Sequence, residues 1–386
     1  MKLFRRIFGW IYTTIMKPLL FRLSPDTAHA ALITVAKVWQ RIPGLRQLTR
    51  WLLAPREETL LKQELFGVTF HNPVGISAGF DKNGEVQPTL DMIGCGFATS
   101  GSVTLHPRAG NPRPWFYRLP RTKSLVVHAG LANEGLERVI TKNIQQTQQV
   151  QERMPLVLSV AIVPSSETCT IQQAIAEACE TMRFIEQQQL SQLIEVNISC
   201  PNAQDGQPFT QPDHLEALLQ AVDELQLTLP VFVKMPNKPT WNEFEPLIAC
   251  VAQHDVQGVT ISNLVKDRET VDLQDELPEA VKGGLSGKPT WERSNALIRE
   301  TYKRYGDTLV IIGVGGIFSA DNAYEKIQNG ASLVALITGM IFEGPQLIGD
   351  ITTGLTNHLK RDGFSSLSEA VGSAVQDNIK KAEKSS

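Results

Sequence analysis

The stretch LVIIGVG at residues 309–315 is followed, after a short intervening segment, by SLVALITG at residues 332–339. Both runs are rich in Val, Ile and Leu and are apolar at almost every position, which is typical of strands buried on both faces of a parallel sheet. Six similar runs precede them, at residues 75–80, 97–104, 155–162, 193–199, 230–235 and 258–263. Segments with helical periodicity, long enough for crossover helices, separate most of these runs. The chain therefore alternates strand and helix through eight units.

This alternation decides between two α/β architectures. Open doubly wound sheets more often stop at about five or six strands, whereas eight units over roughly 280 residues match a closed barrel. We therefore predict an α/β fold, a (β/α)8 TIM barrel at residues 56–361. A helical extension at residues 1–55 would precede the barrel, and a polar tail at residues 362–386, with the character of a frayed helix, would follow it. The turn-rich segment 105–135 is expected to form a lid or substrate loop.

The composition excludes several functional classes. The 386 residues are 42% hydrophobic and 20% charged, with a formal net charge of -3, so there is no large basic field that would bind nucleic acid. The five cysteines are scattered and never spaced as a CxxC pair, and no two of the seven histidines are spaced as a helical metal pair. We therefore expect no nucleic-acid partner, no disulfide framework, no metal and a reducing cytosol.

The first twenty residues, MKLFRRIFGWIYTTIMKPLL, place basic residues around apolar ones, as in an amphipathic helix that lies on a membrane surface. Their uncharged stretch, residues 7–16, is about half of the roughly 20 residues that a spanning helix requires. A second helix is predicted to begin with Ser24 as its cap and Pro25 in its first turn. The alternative is that both helices simply pack on the main domain. On the first interpretation the protein is peripheral, on the cytoplasmic side of a membrane.

In a barrel of this type the reactive groups lie at the carboxyl ends of the strands, so polar residues found there form the candidate site. They are Lys82 after the first strand, Ser102 in the second, Asn197, Cys200 and Asn202 at the fourth, Lys234 in the fifth, and Ser262 and Asn263 in the sixth. Gly315 and Gly316 end the seventh strand, and Thr338 and Gly339 the eighth, where barrels commonly hold a phosphate on backbone N–H groups. Glycine allows such a close approach, although a tight turn alone would also require it. The two turns together predict a phosphate site.

Several of these segments, in the same order and spacing, resemble the dihydroorotate dehydrogenase family. They are GISAGFDKNGE, GSVTLHPRAGNPRPWFYRL, EVNISCPN, VFVKM, GGLSGKP, IIGVGGI and ITGMIFEGP, and the resemblance extends over roughly residues 60–350. The preceding helices, which include FRLSPDTAHA, resemble the membrane-associated extension of the quinone-dependent branch of that family. The resemblance implies an FMN-containing barrel that oxidises dihydroorotate to orotate and passes the electrons to a quinone, a step of pyrimidine biosynthesis.

The resemblance also implies roles for individual residues. Desaturation of a carbon–carbon bond requires a base to remove a proton while the flavin accepts a hydride, and Cys200 is the predicted base. A thiol has an ordinary pKa of about 8.5, so its thiolate is accessible; the alternative is a small buried cysteine in a turn. The predicted substrate-binding residues are Lys82, Asn197, Asn202 and Asn263. The predicted FMN-binding residues are Ala78, Gly79, Lys82, Ser102, Asn197, Lys234, Ser262, Gly287, Gly315, Gly316, Thr338 and Gly339.

Two positions depart from the family pattern. Val127 and Ala161 stand where the family usually has asparagines, and a lysine expected near Pro164 is absent. Each lost hydrogen bond to a charged ligand is worth roughly 1.5 to 3 kcal/mol, so the affinity for dihydroorotate could fall by about 10² to 10⁴. Three interpretations stay open: a dihydroorotate dehydrogenase with an altered pocket, a paralogue acting on another cyclic acid or enone, and a catalytically retired flavoprotein. Cys200 and the lysines argue against the third, while Val127 and Ala161 argue against the first.

Overall fold

A computed structural model of the protein describes residues 2–163, 170–199 and 207–376, and for residues 143–146 it describes the backbone alone. Three residues that the sequence analysis singled out, Pro164, Cys200 and Asn202, lie outside the described residues. The roles assigned to Cys200 and Asn202 therefore stay predictions.

Thirteen strands are present in the described part of the chain. They are β1 (Gln63–Leu65), β2 (Val68–Phe70), β3 (Val74–Ile76), β4 (Phe97–Val103), β5 (Phe116–Leu119), β6 (Ser124–Val127), β7 (Leu156–Ala161), β8 (Leu193–Asn197), β9 (Val231–Lys234), β10 (Gly258–Ile261), β11 (Gly284–Leu285), β12 (Val310–Val314) and β13 (Leu333–Leu336). Eight of them form a closed parallel barrel in the order β3, β4, β7, β8, β9, β10, β12 and β13, with β13 bonded back to β3. Each overlaps one of the eight apolar runs, so the predicted (β/α)8 barrel is confirmed.

The barrel strands are apolar because both of their faces are buried. In β8, Ile194 and Val196 join the cluster between the barrel and its helices, whereas Leu193 belongs to a cluster at the amino end of the barrel. The hairpin of β1 and β2 closes that end, where Phe70 meets Phe97 edge-on with ring centroids 5.9 Å apart. Full burial of a side chain of this size stabilises the fold by roughly 1.5–3 kcal/mol. Polar residues such as Asn197 and Lys234 lie instead at the carboxyl ends of their strands.

Fourteen α-helices occur in the described part of the chain. They are α1 (Lys2–Ile11), α2 (Lys17–Arg22), α3 (Pro25–Trp39), α4 (Leu45–Leu53), α5 (Gln87–Met92), α6 (Leu136–Val150), α7 (Ile171–Gln187), α8 (Pro212–Asp223), α9 (Trp241–Val251), α10 (Trp291–Tyr305), α11 (Ala320–Gln328), α12 (Thr338–Glu343), α13 (Leu347–Asp362) and α14 (Leu367–Ala370). Helix α3 begins as predicted, since the Ser24 hydroxyl oxygen accepts a hydrogen bond from the Thr27 N–H at 3.1 Å and Pro25 lies in the first turn.

The N-terminal helices lie against the carboxyl end of the barrel and are tied to it by polar contacts. The Asp26 carboxylate accepts a hydrogen bond from the Trp115 N–H at 3.1 Å, and the Tyr12 hydroxyl donates to the Ile341 carbonyl at 2.8 Å. Their exposed apolar side chains include Leu3, Phe4, Ile7, Trp10, Leu19, Val35, Val38 and Trp51. Among the described helices, none combines the length and the apolar character needed to cross a membrane.

The segment 105–135 contains a hairpin that the sequence analysis treated as a loop. Strands β5 and β6 pair antiparallel, and β11 pairs with β6 to make a three-stranded sheet. Prolines and glycines flank the hairpin and conceal its two short strands in the sequence.

The polar sequence of the tail after α13 predicted a frayed helix, but part of this tail is packed. Leu367 and Ala370 of α14 are completely buried, and the Tyr302 hydroxyl donates to the Val371 carbonyl at 3.2 Å. The described part of this tail therefore packs on the barrel instead of fraying from it. The domain boundaries after residues 55 and 361 stay predictions.

Candidate active site

One cavity at the carboxyl ends of the barrel strands, with a volume of about 250 Å³, collects the predicted site residues. Every one of them that the structure describes lines it: Ala78, Gly79, Lys82, Ser102, Asn197, Lys234, Ser262, Asn263, Gly287, Gly315, Gly316, Thr338 and Gly339. These residues come from strand ends, loops and the start of α12, which are far apart in sequence, and the closed barrel brings them to one mouth.

A hydrogen-bond network fixes the two asparagine amides of the cavity. The Asn197 amide donates to the Ser102 hydroxyl at 2.8 Å, and the Ser102 and Ser159 hydroxyls lie 2.8 Å apart. The Asn263 amide donates to the Ser199 carbonyl at 2.8 Å and reaches the Ser199 hydroxyl at 3.0 Å. Both amides therefore have set orientations before any ligand arrives, which is the condition for accurate positioning of a substrate.

Lys234 is held inside the barrel by a buried carboxylate. Its Nζ lies 3.9 Å from Glu195 Oε1, and the two side chains are 7% and 2% exposed. The Thr260 hydroxyl donates to Glu195 Oε2 at 2.7 Å, while Glu195 Oε1 has no hydrogen-bond partner in the described part of the chain. Because a buried charge is costly unless it is paired, Glu195 and Lys234 depend on each other.

Lys82 presents a buried ammonium to the cavity. Its Nζ has no hydrogen-bond partner among the described residues and lies 5.0 Å from the centroid of the Phe116 ring. Burial lowers the pKa of Lys82 to about 8, with the nearby Asp26 and Asp81 partly opposing that shift. Asp81 also shapes the turn that carries Lys82, since its carboxylate accepts the Glu85 N–H at 2.7 Å. An anionic ligand in the cavity would satisfy the free donors of Lys82.

The glycine turn after β12 is shaped so that its backbone faces the cavity. Gly315 and Gly316 have φ values of +105° and +71°, in the region that favours glycine. A Cβ atom on Gly315 would lie 2.3 Å from the Thr290 hydroxyl oxygen, and one on Gly316 would lie 2.7 Å from Trp291 Cβ. The turn has no room for side chains on either residue.

A buried lysine that the sequence analysis missed lies behind this turn. Lys326 is completely buried and donates to the Ser294 hydroxyl at 2.6 Å and to the side-chain amide oxygen Oδ1 of Asn295 at 2.8 Å. In the described part of the chain no carboxylate forms an ion pair with it, and burial lowers its pKa to about 7. An anion in front of the glycine turn would favour the charged form of Lys326.

Known proteins with similar sequences identify the family of this chain. The family described as dihydroorotate dehydrogenase matches residues 60–359. The chain belongs to the dihydroorotate dehydrogenase family. Two relatives named dihydroorotate dehydrogenase (quinone), from Crocosphaera subtropica and Nostoc punctiforme, are 33% and 32% identical to it. The matches cover 90% and 95% of this chain and 94% and 99% of those relatives, so the resemblance inferred from the motifs is confirmed.

Solved structures show the same fold. The dihydroorotate dehydrogenase from Eimeria tenella, in complex with ferulenol, matches with a TM-score of 0.77 and covers 90% of this chain and 95% of its own. The sequence identity is 24%, so this likeness concerns the barrel and its helices. The ligand-free form from the same organism matches with a TM-score of 0.75.

The cavity of this dihydroorotate dehydrogenase family member has an apolar end that the N-terminal helices build. Its lining there includes Tyr12, Leu20, Phe21, Ala28, His29 and Leu32. The His29 ring lies 5.9 Å from Phe80 and 5.7 Å from Phe116, measured between centroids. Burial, helped by the charge of Lys82, lowers the pKa of His29 to about 4, so this imidazole is neutral at neutral pH. The end formed by the extension is therefore mostly apolar, although the guanidinium of Arg118 also lines it, 4.5 Å from the Phe21 ring centroid.

The two departures from the pattern of the dihydroorotate dehydrogenase family occupy different places. Val127, at the end of β6, lines the cavity. Ala161, at the end of β7, is 4% exposed and is paired with Asn197 in the sheet, and it is absent from the lining of the cavity. Val127 is therefore the departure that changes the surface offered to a ligand.

Sequence reasoning missed Ser199, Glu195 and Lys326 at this site. Each lies within or beside a segment that was assigned to the scaffold, and each acts through contacts with residues distant in sequence. A signal existed for Glu195, since a carboxylate in the apolar run LIEVNIS needs a buried partner. Nothing local marked Ser199 or Lys326.

Proposed function

We propose that the protein oxidises dihydroorotate to orotate with FMN as its cofactor and a quinone as electron acceptor, a step of pyrimidine biosynthesis. The observation that carries this proposal is a single cavity with two unlike ends. Lys82, Asn197 and Lys234 line its polar end, and the N-terminal helices line its apolar end. A flat polar acid and a hydrophobic quinone would therefore reach one common cofactor.

The residues of the cavity fit FMN on two counts. The turn at Gly315 and Gly316 presents backbone where side chains do not fit, as a phosphate cradle requires. Lys82 offers a buried ammonium whose donors are unused in the described part of the chain. The phosphate would be held by Gly315, Gly316, Thr338 and Gly339. When bound, FMN supplies the hydride acceptor, and the two lysines would favour negative charge on its reduced ring.

The chain's own residues would orient the substrate and move its proton. Asn197 and Asn263 are fixed by the network around Ser199, so their remaining hydrogen-bonding groups would hold the ring amides and the carboxylate of dihydroorotate. Cys200 follows Ser199 directly in the sequence and is our proposed base, with its sulfur taking the proton that the substrate loses. Asn202 would add a further contact to the substrate.

Helices α1 to α4 would bind a membrane surface from its cytoplasmic side and admit the quinone. Exposed apolar side chains on these helices, together with the exposed cations Lys2 and Arg6, support this part of the proposal. Such a combination binds the boundary between lipid headgroups and acyl chains.

One anaerobic experiment tests the proposed function. Purified protein should be yellow, and dihydroorotate should bleach its flavin absorbance within a single turnover, whereas dihydrouracil, which lacks the carboxylate, should not. Cys200→Ala should slow the bleaching by about 10²-fold or more, because the base is missing. Cys179→Ala, which removes a buried thiol of α7 outside the cavity, is the matched control. Colourless protein would contradict the proposal outright.

Val127 favours one alternative, an FMN oxidoreductase that acts on a different cyclic acid or enone. The hydrocarbon side chain of Val127 lines the cavity and cannot form hydrogen bonds, so it suits a substrate ring that is less polar than dihydroorotate. In the same experiment, yellow protein that dihydroorotate fails to bleach but a cyclic enone reoxidises after chemical reduction would support this alternative.

A further inference from the structure

A cluster of metal-binding side chains lies between helices α8 and α9, away from the cavity. It consists of Glu216 on α8, Cys250 on α9 and His254 just beyond the end of α9, and none of the three lines the cavity. Cys250 Sγ lies 3.4 Å from Glu216 Oε2, and His254 Nε2 lies 3.2 Å from the same oxygen. The three atoms all lie within 4.8 Å of one another.

We propose that Glu216, Cys250 and His254 bind a divalent transition metal, zinc in the first place. In a tetrahedral zinc site with bonds of about 2.0 to 2.3 Å, neighbouring ligand atoms are separated by about 3.3 to 3.6 Å. The two measured separations, 3.4 and 3.2 Å, match that spacing. The third pair, Cys250 Sγ and His254 Nε2, lies within 4.8 Å, so these two atoms would approach each other by up to about 1.2 Å when a tetrahedral site forms.

The imidazole is already oriented as a ligand. His254 Nδ1 lies 2.6 Å from Asp223 Oδ2, and the other oxygen of Asp223 accepts the Asp255 N–H at 3.0 Å. A carboxylate on one ring nitrogen directs the other nitrogen toward a metal and raises its basicity, which is the usual support of a metal-bound histidine. Here the directed nitrogen, Nε2, is the one that faces Glu216 and Cys250.

The exposure of the three side chains suits an open zinc site. Cys250 is 8% exposed, the side chain of His254 is 7% exposed, and that of Glu216 is 54% exposed. The cluster is therefore shielded on the thiol and imidazole side and reaches solvent through the carboxylate, so water would supply the fourth ligand. A thiolate with an imidazole selects zinc or cobalt over magnesium or calcium.

Such a metal would fasten α8 to α9, two neighbouring helices of the barrel wall. The competing interpretation is an ion pair in which a protonated His254 bridges Glu216 and Asp223 without any metal. The two interpretations differ over Cys250, since the ion pair does not need a thiol and the metal does. The sequence concealed the cluster because its ligands come from two helices, and Cys250 and His254 form neither a CxxC nor a pair of histidines.

Titration with Co²⁺ tests the proposal, using FMN-containing protein whose thiols are reduced and from which metal ions have been removed. Difference spectra should show a near-ultraviolet band of thiolate bonded to Co²⁺ that saturates at one equivalent and disappears when Zn²⁺ is added. Cys250→Ser and His254→Gln should abolish the band, and Asp223→Ala should weaken the affinity by about 10- to 100-fold. Cys179→Ser, which alters a buried thiol on the adjacent α7, should leave the titration unchanged.

A second measurement guards against variants that fail to fold. Zn²⁺ should raise the Tm of the original protein and of Cys179→Ser, but not that of Cys250→Ser, because a ligand stabilises only a folded state that binds it. Flavin content and the far-ultraviolet circular dichroism of each variant report whether it is folded. Absence of saturable binding in the original protein, or equal Zn²⁺ stabilisation of well-folded Cys250→Ser, would overturn the proposal.

Discussion

Lys82 shows at the scale of one residue how a cavity is prepared for an anion. Its ammonium is buried, lacks a hydrogen-bond partner in the described part of the chain and lies beside the faces of Trp115 and Phe116. Keeping such a group without a ligand costs stability, because its donors have left water and gained no acceptor. A negatively charged ligand that enters the cavity would accept these hydrogen bonds and remove this destabilisation.

Lys82→Met should therefore affect the empty and the loaded protein in opposite directions. The free energy of unfolding of the apoprotein should rise by about 1 to 3 kcal/mol at pH 7, while the affinity for FMN should fall by about 10- to 100-fold. Urea unfolding and fluorescence titration with FMN measure the two effects. Lys62→Met, which alters an exposed lysine, is the control, and an apoprotein that is weakened by Lys82→Met would contradict the expectation.

The same substitution has a pH signature with a defined sign. The pKa of Lys82 is lowered from 10.5 to about 8 in the folded protein, so between these values the unfolded chain binds more protons. The contribution of Lys82 to the stability of the apoprotein consequently rises with pH across that window. In Lys82→Met this part of the pH dependence should be missing.

Strand β8 shows at the scale of an element how one run of sequence serves both core and site. Leu193 joins the cluster that closes the amino end of the barrel, Glu195 lies beside Lys234, and Asn197 reaches the cavity. These residues are two apart, so they share one face of the strand. Along this face the side chains therefore change from apolar at the amino end of the strand to polar at the cavity.

Glu195→Gln should change the redox potential of the bound flavin more than it changes the stability of the fold. It keeps an acceptor for the Thr260 hydroxyl but removes the negative charge beside Lys234, so the reduced flavin should be favoured. We expect the two-electron potential to rise by about 30 mV, equivalent to about 1.4 kcal/mol. Thr260→Val, which removes the hydrogen bond and keeps the charge, is the matched control. A potential that falls, or that moves equally in Thr260→Val, would show that the charge of Glu195 has no such effect.

The elements predicted from the sequence are those whose burial leaves a local pattern. All eight barrel strands were visible because they are apolar on both faces. Most of the predicted cavity residues were visible because they lie at or just beyond the end of a barrel strand, whereas Gly287 was predicted from the family resemblance. The hairpin of β5 and β6 was hidden by flanking prolines, and the packing of α14 by a polar composition. Ser199 and the cluster at Cys250 escaped because their partners come from other elements, which a linear pattern does not contain. Glu195 was marked by its charge within an apolar run, but the run does not name its partner Lys234.

The whole molecule has one face that differs from the rest. The N-terminal helices are anchored inward, for example by Asp26, which binds the backbone of Trp115, and by Arg118, which donates to the Leu23 carbonyl at 2.7 Å. Outward they expose large apolar side chains, including Trp10 at 61% and Trp51 at 57%. Exposed apolar side chains of this kind, together with the basic residues of α1, support the proposed binding of a lipid surface.

Replacing both exposed tryptophans should separate membrane binding from chemistry. Trp10→Ser with Trp51→Ser should reduce partitioning onto vesicles of mixed neutral and anionic lipid by about 10²-fold, since two large side chains no longer enter the interface. Anaerobic bleaching by dihydroorotate should be unchanged. The control is Phe66→Ser, an exposed aromatic residue beside the opposite end of the barrel. Undiminished vesicle binding, or an equal loss in Phe66→Ser, would argue against a membrane role for these helices.

The hairpin that closes the amino end of the barrel also constrains the order of events. With Phe70 and Phe97 sealing that end, every reactant and product shares the opposite mouth with the helices and the β5–β6 sheet. On the proposed function, the acid would bind at the polar end of the cavity and the quinone at the apolar end, and both would enter from the same side of the barrel. Two electrons would then pass from a water-soluble donor to a lipid-soluble acceptor through this one opening, so both half-reactions would depend on access to it.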